Sequence, residues 1–149
     1  MPRSARIALT TLLASALAVA AGPASALCTD GRHPSLPEEF ADSDIVATGT
    51  ARFVRHAVDP KDPDGYVATI HEIRVREIFR GRIPKRLYVE TPNTSARFPL
   101  DAGTTYLLFL HRDANPERYF IDNCGHSAPV DAARRLLPQV RALRASGSK

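Results

Sequence analysis

The chain contains no tryptophan, and its aromatic fraction is only 7%. That leaves little material for the stacked platforms on which proteins hold nucleobases or sugars. Cysteine occurs only at Cys28 and Cys124, too few for a disulfide-scaffold protein or for a zinc site built from four cysteines. The single methionine is Met1, and Cys124-Gly125-His126 is too tightly spaced, so a blue-copper ligand set is excluded as well. No apolar run reaches the roughly 20 residues that a spanning helix needs. What is present is an ordinary globular balance, 44% hydrophobic and 24% charged over 149 residues, which suits one folded domain.

The stretch Ile7 to Ala21, without a charge, follows Arg3 and Arg6 and ends at the breakers Gly22-Pro23. Ala24-Ser25-Ala26 then supplies small residues at the −3 and −1 positions of a cleavage site. Basic, apolar and small residues in that order are those of a secretory signal peptide. The expectation is a leader over 1–26, a domain over 27–145, a tail over 146–149, and a secreted or periplasmic location without a stable membrane span. Leu27 precedes Cys28 where a lipoprotein needs a small residue. Arg3 and Arg6 leave with the leader, which halves the formal charge of +4. A near-neutral exported domain is a poor partner for nucleic acid. In an oxidising compartment Cys28 and Cys124 are expected to pair. A loop of roughly 100 residues closed in this way contributes about 4–5 kcal/mol by chain entropy.

Turn residues dominate Cys28 to Pro37, after which Ser35 and Glu38 form a capping-box pattern for a short helix through Phe40 and Ala41. Ile45 to Val54 reads as a strand, with Ile45, Ala47, Gly49, Ala51 and Phe53 on one face and a bend at Gly49. His56 to Gly65 reads as a polar connector, and its Asp59, Asp62 and Asp64 do not match an EF-hand loop. Further strands are expected over Tyr66 to Phe79, Arg86 to Thr91, Thr104 to His111 and Tyr119 to Asn123. Val130, Ala133, Leu136, Leu137, Val140 and Leu143 then recur at helical spacing, with Pro138 dividing the helix. The fold class expected is mainly β: a five- to six-stranded OB-like barrel with a short N-terminal helix and a C-terminal amphipathic helix.

An early Cys and a short helix precede Ala41-Asp42-Ser43-Asp44-Ile45-Val46-Ala47-Thr48-Gly49; Val75-Arg76-Glu77-Ile78-Phe79-Arg80-Gly81 and Leu100-Asp101-Ala102-Gly103-Thr104-Thr105-Tyr106-Leu107-Leu108-Phe109 follow. Asn123-Cys124-Gly125 then leads into the terminal helix. In order and spacing, from about Cys28 to Leu143, this resembles the bacterial group similar to tissue inhibitors of metalloproteinases, with the netrin-type OB barrel. The resemblance implies a non-enzymatic binding module whose partner is an envelope or extracellular protein, with a metalloprotease as one such partner. In the animal inhibitors the leading cysteine chelates the protease zinc through its α-amino group and carbonyl. Carried onto this chain, that role falls on Cys28, with Thr29 as the residue entering the specificity pocket. Asp30 stands where those inhibitors have their second cysteine, and Leu27 ahead of Cys28 turns the amine into a non-basic amide.

Catalytic signals are sparse. No Gly-x-Ser-x-Gly elbow is present, and neither cysteine remains as a nucleophile once paired. Glu72, Glu77 and Glu90 read as solvent-facing. His33, His56, His71, His111 and His126 show no helical zinc spacing, and a composite of His111, His126 and Asp122 requires the fold to assemble it. A metal-dependent or hydrolytic envelope enzyme is the alternative class; no catalytic residue, metal ligand or cofactor is assigned. The basic run Arg74, Arg76, Arg80, Arg82, Lys85 and Arg86 is interleaved with Glu72 and Glu77 and reads as a solvated face. The exported chain is predicted to begin at Leu27 and not to inhibit a metalloprotease through Cys28. Intact-mass analysis of secreted protein checks this: a chain starting at Cys28 would restore the chelating amine.

Overall fold

A computed structural model of the chain describes residues 33–95, 97–112 and 118–147. The leader, Cys28 and Thr29 lie outside the described residues. Helix α1 spans Leu36–Asp42, followed by strands β1 Ile45–Asp59, β2 Asp62–Arg80, β3 Tyr88–Pro92, β4 Thr105–Arg112, β5 Arg118–Ile121 and β6 Ala128–Pro129. A 3-10 turn over Ala132–Arg135 leads into helix α2, Leu137–Ser146.

The strands hydrogen-bond in the order β1-β2-β3-β5-β4, and β4 returns to β1, so five strands form a closed ring. The closing pair runs antiparallel from Ile45 opposite Leu110 to Thr50 opposite Thr105. β3 and β5 pair in parallel, while every other pairing is antiparallel. β6 takes the part of β4 that β5 leaves open, at Tyr106 and Leu107. This is the mainly β, OB-like architecture expected from the sequence, with one helix at each end of the domain.

Two cores share strands β1, β2 and β4. Inside the ring, Ile45, Ala47, Ala51, Ile73, Leu87, Val89, Tyr106, Leu108, Leu110 and Tyr119 pack together. Outside it, Leu36 and Phe40 of α1 and Val140 of α2 pack on Val46, Phe79, Leu107 and Phe109. β4 therefore sends Tyr106, Leu108 and Leu110 inward and Leu107 and Phe109 under the helices. A strand buried on both faces reads as an unbroken apolar run, which is why Thr104 to His111 shows no alternation.

Local signals hold at the helices. Ser35 and Glu38 form the capping box, with the Glu38 carboxylate accepting from Ser35 N–H at 2.9 Å and from its hydroxyl at 2.7 Å. The far end of α1 is closed by Arg80, which donates to the carbonyls of Ala41 (2.8 Å) and Ser43 (2.9 Å) and lies over the Phe40 ring. This arginine caps the helix while remaining exposed. Pro138 stands in the first turn of α2, where its missing N–H has no intrahelical partner to lose. The amphipathic segment is thus split in two, as its position demands. α2 continues through Ser146, one residue into the expected tail.

Gly49 sits at a register shift between Thr48 and Gly49, where a side chain would collide with Ile73. The bend expected there is present. The expected connector over His56 to Gly65 is not a loop. β1 and β2 stay paired as far as Asp59 opposite Asp62, leaving only Pro60 and Lys61 in the turn. The Asp59 carboxylate accepts from Lys61 N–H at 2.8 Å and that of Asp62 from Asp64 N–H at 3.1 Å, so these acids cap the turn backbone. Register shifts between Phe53 and Arg55 and between Ala57 and Val58 break the period-two pattern that sequence reading relies on.

Val140 is fully buried in the outer core. Val140→Asp is expected to cost about 3–5 kcal/mol, the scale of an uncompensated buried charge, whereas Arg135→Asp on the exposed side leaves the melting midpoint nearly unchanged. Thermal unfolding of both variants measures the difference.

Candidate functional site

Beyond Ala51 strand β1 leaves the ring, and beyond Ala68 of β2 the two long strands continue alone; together these stretches form an arm. Ring closure by β4 ends at Thr50, and β3 covers β2 from Pro92 opposite Ala68 to Tyr88 opposite Glu72. The arm exposes Phe53 (45%), Val54 (41%), Val58 (63%), Tyr66 (37%) and Val67 (46%). Exposed apolar residues scattered singly need no explanation, but a cluster on one projecting element marks an interaction surface.

Four rings connect this surface to the interior. His71 is buried at 5% exposure, and Phe53 meets it edge-on at 6.3 Å between ring centroids. His56 lies 5.0 Å from Phe53 and 4.2 Å from Tyr66, with its Nδ1 at 3.2 Å from the Thr69 hydroxyl. Phe53 was expected on the same strand face as Ala51, which points into the ring. It begins that way, facing His71, but the ring has ended at its level and nothing among the described residues covers its outer half. Burial pushes the His71 imidazole below its ordinary value of 6.5, with a smaller opposing effect from Asp101. Its Nδ1 has no hydrogen-bond partner among the described residues, which favours the neutral ring. Beside the ladder, Arg52, Phe53, Val54, Glu72, Arg86 and Tyr88 line an open hollow of about 400 Å³. Arg52 and Glu72 lie 3.8 Å apart across it.

A second constellation lies on the opposite side of the fold. Glu39 of α1 is 3% exposed, and its Oε2 accepts from His126 N–H at 2.7 Å and from His126 Nδ1 at 2.6 Å. Its Oε1 is packed against Gly125, at a place where any side chain on residue 125 would collide with it. This pair pins the turn over residues 122–127 to α1. Sequence reading singled out Glu38 and passed over Glu39. The available signal was position: Leu36, Glu39 and Phe40 share one helix face, and two of those three are apolar.

Cys124 lies in the same turn. Its N–H donates to the Asp122 carboxylate at 2.9 Å, and its carbonyl accepts from His33 Nδ1 at 3.3 Å. The described residues include no free cysteine. Cys28, Thr29 and the zinc-chelating role assigned to them lie outside the described residues. His111 stacks on Phe120 at 5.4 Å, while His126 is engaged with Glu39. Among the described residues no three His, Cys, Asp or Glu side chains gather where they could hold a metal ion. The carboxylates expected to face solvent are partly exposed and ion-paired: Glu72 with Arg52, Glu77 with Arg141 at 2.8 Å, and Glu90 with Arg118. The Arg141 hydrogen bond holds the Glu77 carboxyl below its ordinary 4.5.

No protein-family model matches the chain, and no characterised protein is similar enough to count as a relative. Among the described residues no helix is long and apolar enough to cross a membrane.

Acidification is expected to weaken the fold in two stages. The unfolded chain protonates His71 more readily than the folded one, so its contribution is complete above 6.5 and is lost as pH falls through that value toward the depressed folded pKa. Glu77 contributes fully above 4.5, and its share is lost as pH falls below that. Urea midpoints measured from neutral pH downward follow both stages. His71→Gln removes the upper one and leaves the lower.

Proposed function

We propose that the chain is an exported, non-enzymatic binding module similar to the netrin-type, TIMP-like group, and that it docks protein through the β1–β2 arm. The arm carries this reading. It combines an unpaired strand edge, which offers main-chain donors and acceptors, with a cluster of exposed apolar side chains rooted in the core. A small-molecule site needs an enclosed cavity, and the hollow at the root of the arm is open. The buried Glu39–His126 pair is accounted for by its structural task of holding a turn. The OB-like ring with a helix at each end supports the family resemblance. So does the turn that holds Cys124 beside His33, a short step along the chain from Cys28. In an exported chain the Cys28–Cys124 bond would tie the segment before α1 to this turn and leave the arm free to project.

The test is site-specific photo-crosslinking in the native host, with the leader intact. A probe at Val58 is expected to yield discrete adducts in the envelope or extracellular fraction, and a probe at Arg135 on the other side of the domain is not. Equal labelling from both sites, or none from Val58, would overturn the docking reading. Mass spectrometry of a non-reduced digest of the same material is expected to show the Cys28 and Cys124 peptides linked.

A further inference from the structure

We infer that the occupant of the arm is a second copy of this chain, paired antiparallel with the first through the outer edge of β1. The inference rests on the reading of the arm as a docking surface and names its partner.

The edge is open. Ala51 is the last residue of β1 held from that side: its N–H donates to the Thr104 carbonyl at 3.0 Å, and its carbonyl accepts from Gly103 N–H at 2.8 Å. From Arg52 to Asp59, among the described residues, β1 pairs only with β2. The direction of its free groups follows from the neighbouring ladder. The carbonyl of Val67 accepts from Asn93 N–H at 2.7 Å and that of Thr69 from the Thr91 hydroxyl at 3.2 Å, both on the β3 side. Antiparallel alternation then turns Ala68 and Ile70 toward β1, where they face Ala57 and Arg55. His56 is left with its N–H and C=O directed at the open edge, and the register shifts on both sides of Val58, which pairs with Tyr66, end the alternation there.

The arm is electrically polar along its length. Arg55 stands near its root, beside Arg52, which is paired with Glu72; Asp59, Asp62 and Asp64 stand at its tip, with Lys61 as the single cation among them. Two identical arms aligned in the same sense bring like charges together. Antiparallel alignment brings root to tip.

Symmetry narrows the register. In a two-fold antiparallel pairing the axis passes through a residue opposite its own copy. An axis at Arg55 sets two guanidinium groups face to face. An axis at His56 places Ala57 opposite Arg55 and Phe53 opposite Asp59, so neither charge meets its opposite. An axis at Ala57 places Arg55 opposite Asp59 of the second copy and His56 opposite Val58 of the second copy, each of them twice. His56 brings its free main-chain groups to face Val58 of the second copy. Arg55 and Asp59 stand two residues to either side of the axis, so each guanidinium faces a carboxylate of the other copy. Asp59, which faces Asp62 across its own hairpin, gains a cation there. The smallest side chain of the segment sits on the axis.

Sedimentation velocity of the exported chain is expected to show a dimer. Arg55→Asp and Asp59→Arg should each weaken association about tenfold or more, and the double variant R55D/D59R should recover it, because the swap restores both opposed pairs. The recovery separates loss of pairing from loss of folding. The Val58 crosslink is then expected at twice the chain mass. A monomeric wild-type chain, or a double variant no tighter than the singles, would overturn self-pairing. Val58 adducts of other masses from a monomeric chain would overturn it too, while leaving the arm a docking surface. A monomer with no Val58 adduct at all would remove both.

Discussion

The stretch of β1 from Val46 to Thr50 is bonded on both edges and packed on both faces, and the rest of the architecture depends on that arrangement. Ile45 to Thr50 pairs with β4 on one side, and Val46 to Thr50 with β2 on the other. Ile45 and Ala47 point into the ring, while Val46 lies under the helices. A disruption here would open the ring and separate the two cores together. Gly49 makes the arrangement possible, because β1 bends where the Ile73 side chain approaches its backbone and no Cβ can be accommodated.

The same strand then leaves the ring. Its pairing with β2 outlasts its pairing with β4, so main-chain groups that are satisfied in the ring become available in the arm. Natural sheets usually blunt such edges with charges, prolines and bulges. Arg52, Arg55, Pro60 and the register shift after Phe53 are devices of that kind. They stand beside Val54 and Val58, which are exposed at 41% and 63%. A guarded edge that still presents apolar groups is suited to one partner geometry rather than to indiscriminate pairing.

The opposite side of the domain is built for fixation. The Glu39 carboxylate takes two hydrogen bonds from one residue, His126, and is covered by Gly125. The turn carrying Cys124 is thereby held to α1, and His33 reaches the same turn from before the helix. Arg80 completes the set by tying the end of β2 to the last carbonyls of α1. One end of the molecule is thus cross-tied by polar contacts, and the other projects a two-stranded ribbon.

The elements governed by nearest neighbours were legible in the residues themselves. The Ser35–Glu38 box, the break at Pro138, the bend at Gly49, the apolar strand over Thr104 to His111 and the mainly β class all follow from local chemistry and periodicity. What the sequence could not settle were contacts between segments far apart. The arm was hidden because three register shifts interrupt its alternation, and because Asp59, Asp62 and Asp64 carry the composition of a loop whether or not the strands around them pair. Glu39 became a buried partner of His126 only when the fold brought residues 87 positions apart within hydrogen-bonding distance. Phe53 has the alternation of a core residue, and whether it is covered depends on where a different strand, β4, stops pairing. Propensity and period are properties of a segment; burial, partner choice and the end of a ring belong to the assembled whole.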